Sequence, residues 1–468
     1  MCRYSFLTFL FSLLLGCVAS TAPIAQAPTD TIVKKKWNIL FISIDDLNTW
    51  TGHLDNHPGV QTPNVDRLAT KGVSFRHAYS PVPHCKPTRA AIMSGLRPWE
   101  SGSYHGQQSD WFKAIANAET IPQFFSRHGY RTMGTGKIFH NGHDGHLTPG
   151  YWDEFKRLRN LSSVKPRYIE EPNDRLRWGP AGEDENHGDF VRVSWAIDKL
   201  NENYDTPFFL GIGLLKPHLA WFVPEKYFAM HPLEKVALPK VLENDLDDVP
   251  PIGKKFALNV EDRFFEDHRK VVEADKWKQG VQAYLAASSF ADAQLGRLLN
   301  ALEQSQYSEN TLIVLWGDHG WHLGEKSHWR KHALWEEATN TSYIIYSPGL
   351  KKNGRIIDTP VDLMSIYPTL AELTGLPKPK TSGVSIVPLL ENENVKWKHP
   401  AIMTYHRGNH AVRMDSYRYI RYSDGTEELY DHRDDPKEWH NIANKPEMAK
   451  IKEKLASYLP KHEAPSIE

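Results

Sequence analysis

Short apolar runs alternate with stretches of helical periodicity along most of the chain. The runs have the length of buried strands and end abruptly in polar residues, as parallel strands do at their carboxyl ends. They predict strands over 38–44, 131–136, 208–215, 311–316 and 343–346. Helical spacing, closed by proline or glycine, predicts helices over 62–71, 121–128, 282–302 and 363–373. This alternation predicts an α/β fold in which helices sandwich a large, mostly parallel sheet.

The pattern changes after Pro377, where proline and lysine become frequent. Short strand-like pieces and one closing helix follow, which predicts a small α+β subdomain with an antiparallel sheet. We therefore divide the chain into a main α/β domain over 33–380 and a C-terminal subdomain over 390–468. The expected strands of this subdomain are 401–405, 417–422 and 428–430, and its helix is 447–458. Two polar segments, 172–188 and 245–278, are interpreted as insertions over the main sheet.

The composition excludes two broad classes of protein. With 40% hydrophobic residues among 468, the chain has ample material for a packed core, which excludes wholesale disorder. The 56 Lys and Arg residues balance 57 Asp and Glu residues, whereas a dedicated nucleic-acid binder would be clearly basic. We therefore expect no nucleic-acid partner, and any anionic ligand has to be held by local cationic side chains.

The N-terminus has the pattern of a secretory signal peptide. Arg3 precedes an apolar run over 6–15, which is too short to span a bilayer, and small residues follow to residue 22. We assign the signal peptide to residues 1–22. The segment 14–17, Leu-Leu-Gly-Cys, also resembles a bacterial lipobox, which would attach a lipid to Cys17. Lipidation and ordinary cleavage are equal alternatives, and both predict an exported protein that is periplasmic, tethered to the outer membrane or secreted.

The leader contains two of the three cysteines, so Cys85 is the only cysteine expected in the mature chain. It therefore has no partner for an internal disulfide. Cys85 comes just before a predicted helix, where free N–H groups favour anions, and Arg89 lies one helical turn further on. This arrangement suits attack on a tetrahedral oxyanion ester. The spacing by itself favours a thiolate phosphatase equally.

Two of the predicted strands end in residue types that commonly bind metals. Asp45 and Asp46 follow the first strand, and Asp318 and His319 follow the strand over 311–316. Functional groups of α/β proteins gather at the carboxyl ends of strands, so these side chains are expected to lie close together. Three carboxylates at one point would repel one another without a cation, which favours Ca²⁺ or Mg²⁺. His319 fits this set less well, since imidazole prefers softer metals.

These residues belong to a longer series of motifs. Residues 85–89, Cys-Lys-Pro-Thr-Arg, resemble the sulfatase signature C-x-P-S/T-R, and Asp45-Asp46 resembles the calcium-binding pair of that family. Further resemblances are 136–140 (G-K-x-x-H), 216–218 (K-P-H), 317–320 (the second metal motif) and 428–436 (E-L-Y-D followed by D-P). In order and spacing, residues 37–444 are similar to the type I, formylglycine-dependent sulfatases of the alkaline-phosphatase-like superfamily. The Asp-His form of the second metal motif is most similar to the iduronate-2-sulfatase-like branch.

The resemblance implies how the site is completed. A formylglycine-generating enzyme would convert Cys85 to formylglycine. The metal would be Ca²⁺, with residue 85 and four side chains around it: Asp45, Asp46, Asp318 and His319. Many sulfatases have asparagine where this chain has His319.

The resemblance also implies the roles of the remaining residues. Hydrated formylglycine would attack the sulfate sulfur in line, with Arg89, Lys137 and Lys331 providing fixed positive charge. His218 would protonate the leaving alcohol. His140 would deprotonate the second hydroxyl, which expels sulfate and restores the aldehyde.

The function implied is exo-acting removal of sulfate from a sulfated saccharide. Two alternatives stay open. A phosphate or phosphonate monoester hydrolase of the same superfamily would usually present Ser or Thr as the nucleophile. A sulfoglycan-binding protein without catalysis would lack Cys85, Arg89 or the Asp45-Asp46 pair, and all of these are present.

Overall fold

A computed structural model describes Met1 and residues 37–105, 111–140, 150–157, 164–173, 176–258, 266–350, 353–392 and 394–467. The predicted signal peptide and its Cys17 lie outside the described residues. Residues 36–468 belong to one compact unit. The boundary between a domain over 33–380 and a subdomain over 390–468 stays a prediction.

The described strands and helices alternate over the first three quarters of the chain. The strands are β1 (Asn38–Ile44), β2 (Val73–Phe75), β3 (Ala78–Tyr79), β4 (Arg131–Gly136), β5 (Glu154–Lys156), β6 (Glu170–Asn173), β7 (Leu176–Pro180), β8 (Phe208–Leu214), β9 (Trp221–Val223), β10 (Thr311–Gly317), β11 (His322–Leu323), β12 (Trp329–Arg330), β13 (Tyr343–Tyr346), β14 (Arg355–Ile357), β15 (Val361–Asp362), β16 (Ala401–Thr404), β17 (His410–Met414), β18 (Tyr417–Arg421) and β19 (Glu427–Asp431). The helices are α1 (Pro63–Lys71), α2 (Cys85–Ser94), α3 (Pro98–Ser101), α4 (Trp111–Ile115), α5 (Ile121–Arg127), α6 (Gly188–Leu200), α7 (Glu225–Ala229), α8 (Pro251–Leu258), α9 (Asp267–Glu273), α10 (Trp277–Gln304), α11 (Glu336–Thr339), α12 (Ile366–Leu373), α13 (Val387–Glu391) and α14 (Ala449–Ala456).

The central sheet has eight strands in the order β14-β2-β13-β10-β1-β8-β4-β5. The strands β10, β1, β8, β4 and β5 run parallel, and β13 is antiparallel to both of its neighbours. Every residue of β1, β8 and β10 is buried, which explains why these strands read as continuous apolar runs. The predicted mostly parallel sheet is confirmed.

Helices cover both faces of this sheet. On β1, Phe41 packs in a core that includes residues of α5 and α12, while Leu40 packs on the opposite side with residues of α6 and α10. Successive side chains of a strand point to opposite faces, so one strand contributes to both cores. The α/β sandwich predicted from the sequence is confirmed.

The C-terminal region contains a four-stranded antiparallel sheet in the order β16-β17-β18-β19. Leu455 of α14 packs with Val412, Tyr419 and Leu429 on one face of this sheet. The predicted antiparallel sheet with a covering helix is therefore confirmed. Strand β17 was not predicted, because arginine and histidine interrupt its apolar residues.

Two other elements differ from the sequence prediction. The polar segment 172–188 contains β7, which pairs with β6 and β9 in a separate three-stranded sheet. Helix α6 follows it and packs against α10 through Val193, Ala196 and Leu200, which have helical spacing.

Within the described part of the chain, no helix combines the length and apolar character needed to cross a bilayer.

Candidate active site

The candidate active site lies at the carboxyl edge of the central sheet, where four adjacent parallel strands end. Asp45 and Asp46 follow β1, and Asp318 and His319 follow β10. Lys137 follows β4, and the segment that leads to His218 follows β8. The order β10-β1-β8-β4 therefore brings together motifs that are far apart in the sequence.

Two glycines allow the chain segments at this edge to approach closely. A Cβ atom on Gly136 would lie 2.1 Å from the carbonyl oxygen of Gly213, and one on Gly213 would lie 2.1 Å from the carbonyl carbon of Lys137. Gly136 also has a φ of +78°, which side chains disfavour. The Ser43 hydroxyl donates a hydrogen bond to the Lys137 carbonyl at 2.9 Å, which fixes Lys137 beside the end of β1.

Three fully buried carboxylates form the centre of the site. The Asp46 backbone N–H donates to Asp318 Oδ1 at 3.0 Å. The Arg89 guanidinium lies between the other two acids, with Nε 3.0 Å from Asp318 Oδ2 and one terminal nitrogen 3.3 Å from Asp45 Oδ1. Burial raises the pKa of Asp318 and Arg89 lowers it, with a net value of about 7. Arg89 alone therefore does not neutralise the three carboxylates.

Arg89 is enclosed by protein groups on all sides. Its other terminal nitrogen donates to Ser43 Oγ at 3.2 Å, to the Ile138 carbonyl at 3.1 Å and to the Lys137 carbonyl. The guanidinium carbon lies 5.4 Å from the centre of the Trp316 ring, and the side chain has no exposed surface. Burial lowers the pKa of Arg89, but Asp318 and Asp45 raise it above its ordinary value. Arg89 therefore fixes the positions of Asp45 and Asp318.

Two lysines also form hydrogen bonds with the acids. Lys137 Nζ donates to Asp45 Oδ2, and Lys331 Nζ donates to Asp46 Oδ1 at 2.7 Å. Burial lowers the pKa of each lysine, but Asp45 and Asp46 respectively outweigh it, so both pKa values are raised. Both residues are therefore positively charged at neutral pH and lie beside the carboxylates.

Cys85 is the first residue of α2, and its thiol faces the carboxylates. Its Sγ lies 3.8 Å from Asp46 Oδ1 and 3.2 Å from His319 Nε2, and the residue is 2% exposed. Burial raises the pKa of the thiol, but Lys137, Lys331 and His319 bring it well below the ordinary value. His140 also hydrogen-bonds Cys85, although burial lowers the pKa of His140.

Two histidines complete the site. The Nδ1 atom of His319 lies 2.9 Å from the Gly320 carbonyl, so Nδ1 donates and Nε2 faces Asp46 Oδ1 at 3.3 Å. Burial lowers the pKa of His319 and Asp318 raises it, to about 9. His218 Nε2 lies 3.9 Å from Asp46 Oδ2, and its side chain is 32% exposed.

The donor set fits a hard divalent cation. Asp46 Oδ2 is buried and forms no hydrogen bond with any residue that the structure describes. Potential ligand atoms of Asp45, Asp46, Cys85 and His218 lie within 4.8 Å of one another, as do those of Cys85, Asp318 and His319. Carboxylate oxygens are the ligands that Ca²⁺ and Mg²⁺ prefer. A cation at this point would give Asp46 Oδ2 the partner it lacks.

All ten residues selected from the sequence meet at this edge of the sheet. They are Asp45, Asp46, Cys85, Arg89, Lys137, His140, His218, Asp318, His319 and Lys331. The structure adds one contact that the sequence did not predict, because His218 Nε2 lies 3.9 Å from Asp46 Oδ2.

Asp189 is a further residue of the site that sequence reasoning missed. It lies in the first turn of α6 and is buried. Its carboxylate accepts the backbone N–H groups of Leu215 at 2.9 Å and Lys216 at 2.8 Å. Asp189 therefore fixes the segment that carries His218. The sequence pattern predicts no helix at Asp189, so nothing in the sequence signals this role.

The family model described as Sulfatase matches residues 37–376, and the model described as N-sulphoglucosamine sulphohydrolase, C-terminal, matches residues 324–464. The chain therefore belongs to the sulfatase family, whose members hydrolyse sulfuric esters. This confirms the family inferred from the sequence motifs.

Two relatives indicate where the chain stands within the family. It is 40% identical to a sulfatase of Formosa agariphila, over 97% of this chain and 92% of that protein. It is 30% identical to human iduronate 2-sulfatase, over 76% of this chain and 71% of that protein. The predicted similarity to the iduronate-2-sulfatase-like branch agrees with this second match.

Solved structures share the fold. The phosphonate monoester hydrolase of Agrobacterium radiobacter matches with a TM-score of 0.74 at 21% identity, covering 90% of this chain and 94% of that one. BT4656 in complex with its substrate D-glucosamine-2-N,6-O-disulfate matches with a TM-score of 0.72 at 22% identity, covering 90% of this chain and 96% of that one. The fold alone therefore hosts both sulfatases and phosphonate hydrolases.

Proposed function

We propose that this sulfatase removes sulfate from a sulfated saccharide, with a formylglycine made from Cys85 as its nucleophile and Ca²⁺ as its metal. The position of Cys85 carries the proposal. Its Sγ lies at a helix start, 3.8 Å from Asp46 Oδ1 and among the charges of Lys137 and Lys331. In the mature enzyme, the nucleophilic oxygen of formylglycine would replace this sulfur.

The side chains around Cys85 have distinct tasks. Lys137 and Lys331 would bind the sulfate oxygens, since both carry charge and lie against the acids. Calcium, held by Asp45, Asp46, Asp318, His319 and residue 85, would add the positive charge that stabilises the developing negative charge. Arg89 would keep Asp45 and Asp318 in position without contacting the substrate.

Two histidines would move protons. His218 is partly exposed at the side of the site and would protonate the oxygen of the leaving alcohol. His140 hydrogen-bonds Cys85, and burial lowers its pKa, so it is a neutral base at the nucleophile. It would take the proton whose removal releases sulfate.

The substrate class is supported by relatives and by the depth of the site. One relative is named iduronate 2-sulfatase, and the structural neighbour BT4656 is in complex with a sulfated glucosamine. Cys85 is only 2% exposed, so a terminal sugar would reach it more easily than the middle of a chain. We therefore propose exo-acting hydrolysis.

Maturation and location complete the proposal. A formylglycine-generating enzyme would act on the 85–89 signature before the protein folds around it. The leader sequence supports export to the periplasm, to the outer membrane as a lipoprotein on Cys17, or to the medium. Cell fractionation of the Cys17→Ala variant would separate the lipid-tethered form from the freely soluble one.

The test is release of inorganic sulfate from a panel of sulfated mono- and oligosaccharides, with matched phosphate and phosphonate esters beside them. Mass spectrometry first verifies formylglycine at position 85, and Cys85→Ala is the control. We expect sulfate release that disappears in the Cys85→Ala variant and after calcium chelation. Release of phosphate without sulfate would instead favour the monoester hydrolase. Saccharide binding by the mature protein without any release would favour a binding protein.

A further inference from the structure

We propose that a row of five ring side chains leading away from Cys85 binds the sugar next to the one that carries the scissile sulfate. The ring row consists of His84, His332, Tyr405, His406 and His105. The inference rests on the proposed saccharide substrate and extends it, because it requires a substrate of at least two sugars.

The row begins beside the nucleophile. His84 is the N-cap residue of α2, directly before Cys85. Its Nδ1 atom is buried and forms no hydrogen bond with any residue in the described part of the chain. A buried ring nitrogen without a partner is unfavourable, and native proteins rarely leave one without a reason. A saccharide hydroxyl or sulfate oxygen in the site would supply that partner.

The rings are in continuous contact. The centres of the His84 and His332 rings are 4.7 Å apart, and those of His332 and Tyr405 are 5.9 Å apart with nearly parallel planes. Tyr405 lies 4.4 Å from His406, which stacks on His105 at 5.2 Å. The row therefore leads from Cys85 to the C-terminal sheet.

Burial divides the row into two layers. His332 and Tyr405 are buried, whereas His84 and His105 are partly exposed and His406 is exposed. The buried rings pack against the three more exposed ones, which are the members of the row that a ligand can reach. Imidazole nitrogens both donate to and accept from hydroxyl groups, and ring faces pack against the C–H face of a sugar. This chemistry suits a saccharide.

The backbone holds the row rigidly. The His332 N–H donates to the Pro83 carbonyl at 3.2 Å, and the Thr404 N–H donates to the Pro81 carbonyl at 2.9 Å. These bonds tie both supporting segments to the chain that precedes Cys85. His332 and His406 also have positive φ angles of 76° and 54°. Such strain in residues other than glycine is concentrated at functional sites.

The experiment measures binding without turnover, in the Cys85→Ala background, by calorimetry. The probes are one sulfated monosaccharide and the disaccharide that extends it by one sugar, taken from the best substrate of the panel. We expect the disaccharide to bind about tenfold more tightly, the effect of one or two added hydrogen bonds. His406→Ala should reduce that ratio to about one. His105→Ala, which changes a different segment of the chain, should also reduce it.

The matched control is His399→Ala, because His399 is also exposed and packs on an aromatic ring, Trp397, at 4.9 Å. It should leave the tenfold ratio unchanged. Equal affinity of the two saccharides for Cys85→Ala, or a ratio that survives both His406→Ala and His105→Ala, would overturn the subsite. Failure of the proposed function is read separately, as a lack of sulfate release by the formylglycine-containing enzyme.

Discussion

Two buried clusters of acidic and basic residues in this protein use the same residue types for different purposes. The edge cluster consists of Asp45, Asp46 and Asp318 with His319 and the cations Arg89, Lys137 and Lys331. The sheet-joining cluster consists of Glu336, Glu438 and His432 with Arg418. Ligand atoms of Asp318 and His319 lie within 4.8 Å of one another and of Cys85, and those of Glu336, His432 and Glu438 also lie within 4.8 Å of one another. Geometry of this kind therefore does not distinguish a metal site from a structural ion network.

The carboxylates of the sheet-joining cluster are paired with protein groups. The Tyr79 hydroxyl lies 2.9 and 3.0 Å from the two oxygens of Glu336, and Arg418 donates to Glu336. Arg418 Nε lies 2.5 Å from Glu438 Oε1, and the Glu336 N–H donates to Glu438 Oε2 at 2.8 Å. Every carboxylate oxygen has a protein donor. The cluster joins the C-terminal sheet to the chain that follows Lys331.

The edge cluster differs from the sheet-joining cluster because one of its carboxylate oxygens has no donor. Asp46 Oδ2 is buried and, among the described residues, has no hydrogen-bond donor, although every other carboxylate oxygen of Asp45, Asp46 and Asp318 has one. Native proteins rarely bury a polar atom without a partner. An acid with an unsatisfied oxygen, beside a nucleophile, is the feature that marks the ligand site.

Asp46→Asn should have the largest effect on activity. The amide removes one negative charge from the proposed calcium site and presents N–H groups where the metal needs oxygen. We expect sulfate release to fall about a thousandfold, because a metal contributes several kcal/mol to charge stabilisation. Chromatographic assay of free sulfate measures this, with folding monitored by circular dichroism. A variant that retains more than a tenth of wild-type activity would contradict the assignment.

Glu438→Gln should act on stability instead. The variant leaves the buried Arg418 without half of its negative partners, and breaking a buried ion pair costs about 3–5 kcal/mol of unfolding free energy. Urea denaturation measures the loss. Activity per folded molecule should remain within about twofold of wild type, since no residue of the edge cluster is changed. A selective loss of activity without a loss of stability would mean that the two clusters are not separate in function.

Asp189→Asn should reduce activity about 10–100-fold, since it displaces the segment that carries His218, a proposed general acid. The loss should be greatest for saccharide sulfates and small for 4-nitrophenyl sulfate, whose leaving group needs no proton. Asp292→Asn is the matched control, because Asp292 is also buried and accepts the Val65 N–H at 2.8 Å, at the start of α1. An equal loss with both substrates would show a general effect on folding.

The smallest effect concerns pH. Burial raises the pKa values of Glu336 and Glu438, but Arg418 brings both below the ordinary value. Their stabilising contribution is therefore fully present above the unfolded-state pKa of about 4.3 and is lost as the pH falls below it. The difference in stability between wild type and Glu438→Gln should narrow between about pH 5 and pH 3. A constant difference across that range would contradict the lowered pKa values.

The sequence predicted the parts of the molecule whose causes are local. Continuous apolar runs end in Asp45-Asp46 and Asp318-His319, and the rule that strand ends meet at one sheet edge brought these residues together correctly. The enclosure of Arg89 and the role of Asp189 depend on contacts between distant segments. No periodicity or motif encodes those contacts, because they arise only when β4, β8 and α6 pack against one another.

The distinction between the two clusters also could not be read from the sequence. The motif over 428–436 is recognisable in the sequence, but two of the groups that pair with the nearby Glu438, the Arg418 guanidinium and the Glu336 N–H, lie outside it. Whether a buried acid is satisfied depends on all of its neighbours at once. Local patterns therefore give the residue types of a site but not which of its atoms remain available for a ligand.

Calcium binding tests the central claim most directly. The measurement is calorimetric titration of Ca²⁺ into metal-free wild type, Asp46→Asn and Glu438→Gln. Wild type and Glu438→Gln should each bind one calcium ion with the same affinity, and Asp46→Asn should bind at least about a hundredfold more weakly, since affinity follows the charge of the ligands. Unchanged calcium affinity in Asp46→Asn, or its loss in Glu438→Gln, would contradict the assignment of the metal to the edge cluster.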